Sequence, residues 1–151
     1  MTVDRAVRID RDWIASRIPH QGSMCLLDNV EQWDEHSIVC ITRSHLRADN
    51  PLRVDNKLGI THAIEYAAQA MAVHCAVLMD ESSAPSSGYL TSVRQVNWHR
   101  ARFDDVASEL RVCARRMSGN DVTVLYEFEV RADDALLIDG RASVVLNAAA
   151  I

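Results

Sequence analysis

The sequence predicts an α+β domain built from one long buried helix and a largely antiparallel sheet. Three observations carry this. Residues 58–80 form an unbroken stretch of helical length with apolar and small residues on nearly every side, and a helix that is apolar all round belongs in an interior. Apolar residues alternate with polar ones at Leu110, Val112 and Ala114, and again at Val122, Val124, Tyr126, Phe128 and Val130, which is the period of a half-buried strand. Short turn signals, Asp34-Glu-His-Ser37, Ser118-Gly-Asn-Asp121 and Asp133-Asp134, join neighbouring strand-like segments, and such links suit antiparallel neighbours.

In order, Asp10–Ile18 reads as a short amphipathic helix capped by Asp10, with Trp13, Ile14 and Ile18 on one side and Pro19 as its stop. His20-Gln-Gly-Ser-Met24 is a tight loop. Cys25–Trp33 and Ile38–Arg43 are strand candidates forming a hairpin. Residues 44–57 are polar, with Pro51, and read as an irregular loop into the long helix, with Asp55 or Asn56 as its cap. The five alanines within residues 63–72 let other backbone come close. Glu81–Gly88 is a surface connection. Tyr89–Trp98, Ser108–Met117, Val122–Arg131 and Leu136–Leu146 are the remaining strands, and no internal repeat is visible.

With 151 residues the chain is expected to be a single domain, 1–151, with a real core. A net charge of −5 argues against nucleic acid and against an anionic membrane as main partners. Met1–Arg8 lacks the apolar run of a signal peptide. His62, Glu65, Gln69 and His74 make a membrane span an unsuitable reading of the long helix. Cys25, Cys40, Cys75 and Cys113 are scattered among apolar residues without metal-ligand spacing, and read as reduced, buried thiols in a cytoplasmic protein.

At about 100° per residue, His62, Glu65, Tyr66 and Gln69 share one polar stripe on the long helix. Glu65 is the first chemical candidate. A carboxylate among apolar residues is costly; it is either a general acid or base with a raised pKa, or a buried group satisfied by an amide or by His62. His20 is the second, as a functional loop residue or as a structural one bonded to the loop backbone. His62 and Gln69 either orient the carboxylate or a bound carbonyl, or serve a dimer contact. His74 reads as packing, and His36, His45 and His99 as solvated. Arg94, Arg100, Arg102, Arg111, Arg115 and Arg116 are either a solvated face or a docking site for an acidic partner such as a carrier protein. No Ser-His-Asp order, phosphate loop, HExxH or paired histidine spacing is present, so no metal or cofactor is expected.

Three stretches resemble the 3-hydroxyacyl carrier-protein dehydratases of the hotdog superfamily: Ile18-Pro-His-Gln-Gly-Ser-Met-Cys-Leu-Leu-Asp28, Ala63-Ile-Glu-Tyr-Ala-Ala-Gln-Ala70 and Gly88-Tyr-Leu-Thr-Ser-Val-Arg94. The Ile-Glu-Tyr-x-Ala-Gln form looks most like the predicted dehydratases of aryl-polyene pigment pathways. The resemblance implies a hotdog fold, a sheet wrapped around one central helix, in a homodimer paired edge to edge. It also implies active sites at the dimer interface, where the helix Glu of one protomer works with a His of the other. The substrate would be an acyl carrier protein or coenzyme A thioester, losing water to give a trans-2-enoyl product. Glu65 matches the family's helix carboxylate, with His62, Gln69 and Tyr66 as the substrate-binding candidates beside it.

One departure is plain. The main family carries its His in a Gly-His-Phe-Pro loop, where this chain reads Asp49-Asn-Pro-Leu-Arg-Val-Asp55. His20, or else His62 or His45, would have to substitute. The subgroup resemblance further suggests work beside a second, complete dehydratase subunit. The leading expectation is therefore a dehydratase using Glu65 and His20. A hotdog thioesterase and a non-catalytic acyl-binding partner subunit are the alternatives.

Overall fold

The computed structural model describes residues 9–79 and 89–146. Helix α1 spans Arg11–Arg17, and strands β1 and β2 span Asn29–Trp33 and Ser37–Thr42. Helix α2 (Ala63–Leu78) follows, and then β3 (Tyr89–Trp98), β4 (Leu110–Gly119), β5 (Thr123–Ala132) and β6 (Ala135–Val145). The strands make one six-stranded sheet in the order β1-β2-β4-β5-β6-β3, antiparallel at every pairing. The expected connection 81–88 lies outside the described residues, as do residues 1–8.

Local chemistry explains most boundaries. Asp10 caps α1 by accepting from the Trp13 amide at 3.0 Å. Arg17 lies 5.2 Å over the Trp13 ring, while Ile14 enters the core. Asp34 shapes the β1–β2 turn by accepting from the amides of His36 and Ser37. Asn120 does the same for Val122 and Thr123 at the β4–β5 turn. In β5 the alternation is realised directly: Val124, Tyr126, Phe128, Val130 and Ala132 are buried and their neighbours are not.

The core lies between this inner face and α2, which packs on β2, β4 and β5. Ala63, Ala67 and Ala70 are fully buried at the contact, where a larger side chain would hold the helix off the sheet. Its composition predicts a helix buried all round, and the structure corrects this: one side is only half-buried. Ile64, Ala68, Ala72 and Cys75 line a half-buried apolar stripe.

Other expectations are corrected. Cys25–Asp28 is extended and its first three side chains are buried, yet the ladder begins only at Asn29. The Leu26 amide is taken by the Gln69 side chain instead of a strand. Asp55 and Asn56 do not cap α2. They hold φ values of 50° and 66° in a tight turn closed by Val54 and Lys57. The chain then runs beside 101–103, with the Ile60 amide on the Ala101 carbonyl, before a 3₁₀ turn at Ile60–His62 opens α2. His45 is buried rather than solvated, with Nε2 2.9 Å from the Val106 carbonyl and its ring stacked on Phe103. Cys75 and Cys113 are only partly buried.

The outer face carries paired charge. Arg100, Arg102, Arg111 and Arg115 contact Asp105, Asp104, Glu31 and Glu127. Such exposed pairs add little stability, but they cancel local charge. This arrangement fits the solvated-face reading of the arginines better than an open cationic patch. Among the described residues, no helix is long and apolar enough to cross a membrane.

Candidate active site

Glu65 stands in the first turn of α2, where the N-terminal end of the helix favours negative charge. His20 comes from the loop after α1, and its Nε2 lies 3.1 Å from Glu65 Oε1. Both side chains are within one chain, 45 positions apart, and are 26% and 33% exposed. They are sheltered from bulk water but open to a ligand. His20 Nδ1 is buried and has no partner among the described residues, so Nε2 is the nitrogen that faces the carboxylate.

The Glu65 carboxyl is held below its ordinary range, opposite to the raised value that a carboxylate on an apolar helix suggests. The hydrogen bond from His20 is the main cause; burial pushes the other way, and the Gln69 amide adds a lowering contact at 3.4 Å. A carboxylate and an imidazole in contact can pass a proton between them, the elementary step of general acid–base chemistry.

Gln69 is fully buried and both ends of its amide are engaged. Its oxygen accepts from the Leu26 amide at 2.9 Å, and its nitrogen donates to the Met24 carbonyl at 2.8 Å. It thus links α2 to the segment that follows His20. Tyr66 points away from Glu65 into the core. Its hydroxyl is 2.9 Å from both Ser44 Oγ and Asn50 Nδ2, and its ring meets Phe103 edge-on. The free chain therefore does not present the Tyr66 hydroxyl to a ligand. His62 is half-buried at the helix start. Its amide donates to the Gly59 carbonyl at 3.0 Å, and its side chain makes no hydrogen bond among the described residues.

The segment that holds the family's loop His is occupied here by a packed turn. Asn50 is buried and donates to the Ser44 carbonyl as well as to Tyr66. Arg53 ties the turn together through the carbonyls of His45, Arg47 and Asn56. His45 has its Nε2 committed to Val106. Of the three candidate substitutes for the loop His, His20 is the one in contact with Glu65. The Ser44–Asn50–Tyr66 network leaves no mark in the sequence, since short polar residues in a polar loop carry no periodic signal. Among the described residues, no group of three His, Cys, Asp or Glu side chains is placed to hold a metal ion.

Comparison with known proteins now has a geometry to stand beside. Residues 13–150 match the ApeP-like family, described as ApeP dehydratase. Among solved structures, the chain is similar to the dehydratase heterocomplex ApeI:P from Xenorhabdus doucetiae. That match has a TM-score of 0.79 and 24% identity, covering 88% of this chain and 90% of that one. It is also similar to a mutant of thioesterase PA1618 from Pseudomonas aeruginosa, with a TM-score of 0.57 and 14% identity over 78% of each chain. An HP0420 homologue from Helicobacter felis matches with a TM-score of 0.62 and 9% identity, over 87% of this chain and 86% of that one. Identities this low bear on the fold alone. A search among curated proteins finds no match. The fold shared with these structures, a six-stranded antiparallel sheet around one long helix, is the hotdog fold, and the match over residues 13–150 places this protein in the ApeP-like dehydratase family.

Proposed function

We propose that this chain dehydrates a 3-hydroxyacyl thioester carried on acyl carrier protein or coenzyme A, with Glu65 and His20 as its acid–base pair. The observation that carries this reading is the 3.1 Å contact between His20 Nε2 and Glu65 Oε1. Glu65 is the group held in its charged form, so it acts as base and removes a proton from C2. Protonated His20 is the acid that donates from Nε2 to the C3 hydroxyl, which leaves as water. The electron pair from the C2–H bond becomes the C2–C3 double bond. The proton gained by Glu65 then crosses the short contact to His20 and restores the starting pair. The N-terminal end of α2 favours the negative charge that develops on the thioester carbonyl.

In this reading the acid and base belong to the same chain, so the absent Gly-His-Phe-Pro loop does not remove the site. A second dehydratase subunit is the proposed partner. The ApeI:P relative is a heterocomplex by its own description, and the half-buried Ile64–Ala68–Ala72–Cys75 stripe is apolar surface suited to cover by another chain. A homodimer would cover the same stripe and is distinguished by measuring mass with and without the second subunit. The expected setting is cytoplasmic, where carrier-protein thioesters are made.

The test is to supply a short 3-hydroxyacyl thioester to the protein, alone and mixed with a second dehydratase subunit, and to follow enoyl absorbance and free thiol together. Enoyl formation without thiol release, lost in Glu65→Gln, is the expected result. Thiol release would make the protein a thioesterase. Silence in both channels from folded protein, with altered turnover of the added subunit, would make it a non-catalytic partner.

A further inference from the structure

The loop that carries His20 is held by side-chain bonds at several points. Gln21, the next residue, donates from Nε2 to the Ala15 and Ile18 carbonyls at 2.5 and 3.2 Å. His20 makes no backbone hydrogen bond among the described residues, and its polar side-chain contact there is with Glu65. The residues after it are gripped from two directions. On the α2 side, Gln69 takes the Met24 carbonyl and the Leu26 amide. On the other side, Arg11 of α1 donates from Nη2 to the Gly22 carbonyl at 2.8 Å and to the Cys25 carbonyl at 3.1 Å.

Those two carbonyls bracket the 3₁₀ turn Gly22–Met24, whose own bonds are Met24 amide to Gln21 carbonyl and Cys25 amide to Gly22 carbonyl. Gly22 has a φ of 59°, a conformation that favours glycine and makes a sharp reversal two residues after His20. A tight turn with a single positive-φ pivot has few bonds of its own to resist rotation. The cation of Arg11 supplies charge-assisted bonds at both ends of it.

Arg11 is itself well anchored. It is the first residue of α1, next to the Asp10 cap. The chain just before it is fixed to β1 by the Val30 amide on the Ile9 carbonyl at 2.9 Å. A rigid line therefore runs from β1 through α1 and Arg11 to the turn beside His20.

We infer that Arg11 is a positioning residue, which sets the His20 loop so that Nε2 meets Glu65. This deepens the acid–base reading above and rests on it for its catalytic consequence. Arg11 lies ahead of the residues 13–150 that match the family, so the match does not assign it a role. Arg11 touches neither Glu65 nor His20 and does not act on substrate directly.

The test uses Arg11→Met, which keeps the stem and loses the donors, and Arg11→Lys, which keeps a cation that reaches carbonyls. The first readout is the contact itself, followed by NMR through the ring signals of His20 at fixed pH in wild type and in Glu65→Gln. The change in those signals on removing the Glu65 carboxylate measures the contact. We expect that change to fall by at least half in Arg11→Met and to return in Arg11→Lys. The second readout is turnover. A displaced loop is expected to lower kcat about 10- to 100-fold while KM changes less than about threefold, with most of the loss recovered in Arg11→Lys. If Arg11→Met does not fold, Arg11→Gln takes its place in both readouts. An unchanged His20–Glu65 coupling overturns the inference whatever the kinetics. Weakened coupling in a chain that shows no dehydration leaves Arg11 as a positioning residue and overturns the proposed reaction alone.

Discussion

Helix α2 holds a histidine site at each end, and the two are built on opposite principles. At the N-terminal end, His20 meets Glu65, both side chains are partly open, and His20 Nδ1 has no partner among the described residues. At the C-terminal end, His74 is completely buried. Its Nδ1 lies 2.7 Å from the Tyr126 hydroxyl and its Nε2 lies 2.8 Å from the Asp34 carbonyl. A carbonyl only accepts, so Nε2 carries the proton and Nδ1 accepts from Tyr126. Every valence at this end is filled, burial holds the ring below its ordinary value, and burial likewise raises the Tyr126 phenol. The sealed site fixes the helix against β5 and the β1–β2 turn. The open one keeps a charged carboxylate within reach of a proton donor, an arrangement with chemical use and little structural gain.

The contrast is broken most severely at the open end. Glu65→Gln keeps the shape and removes the proposed base, so turnover is expected to fall by about 10²- to 10⁴-fold. The melting temperature should stay near that of wild type, because the side chain is one-third exposed. Steady-state kinetics and a thermal melt on the same sample check both halves of this statement. At the sealed end the expected pattern reverses. His74→Ala leaves a cavity and strands the Tyr126 hydroxyl, costing about 2–4 kcal/mol of stability. Turnover per folded molecule should change little, which denaturant titration with kinetics below the transition would read. Tyr126→Phe is milder. It leaves His74 Nδ1 without its donor, removes the 3.4 Å contact of the hydroxyl with Cys75 Sγ, and is expected to cost about 1–2 kcal/mol by the same titration.

Acidity sharpens the same comparison. The folded state holds His74 neutral, with its pKa below the usual 6.5. The unfolded chain therefore binds this proton first as pH falls. The contribution of His74 is complete above about pH 6.5 and is lost as pH drops below it, with a limiting slope near 1.4 kcal/mol per pH unit. Glu65, lowered from 4.5 in the folded state, keeps its contribution until pH falls below that value. Burial lowers His45 in the same way, so chemical denaturation from pH 8 to pH 4 should show a smaller loss in this window in His74→Phe than in wild type, the remainder belonging to His45.

Much of this was legible in the sequence, and what was not has a common cause. The order of elements, the α2 segment, the β3 boundaries and the alternation in β5 follow from local period and turn chemistry. Glu65 and His20 stood out as a carboxylate on an apolar helix and a histidine in a tight loop. The rest depends on contacts between distant residues. The Leu26 amide is withdrawn from the ladder by Gln69, 43 positions away. His45 is buried through Val106, 61 positions away. Burial alone would raise the Glu65 pKa, and the approach of His20, with a lesser contact from Gln69, reverses the direction. Arg11 reads as an ordinary surface residue of a short helix until the Gly22 and Cys25 carbonyls are seen folded back on it.

The central claim is that Glu65 and His20 of the same chain act as one unit. The most direct measurement is the initial rate of enoyl formation for wild type, Glu65→Gln, His20→Asn and the double variant, each in the same subunit composition. If the pair shares one proton cycle, either single change removes nearly all activity and the double variant is no slower than the worse single one. Losses that multiply in the double variant, or a His20→Asn protein that turns over like wild type, would contradict it.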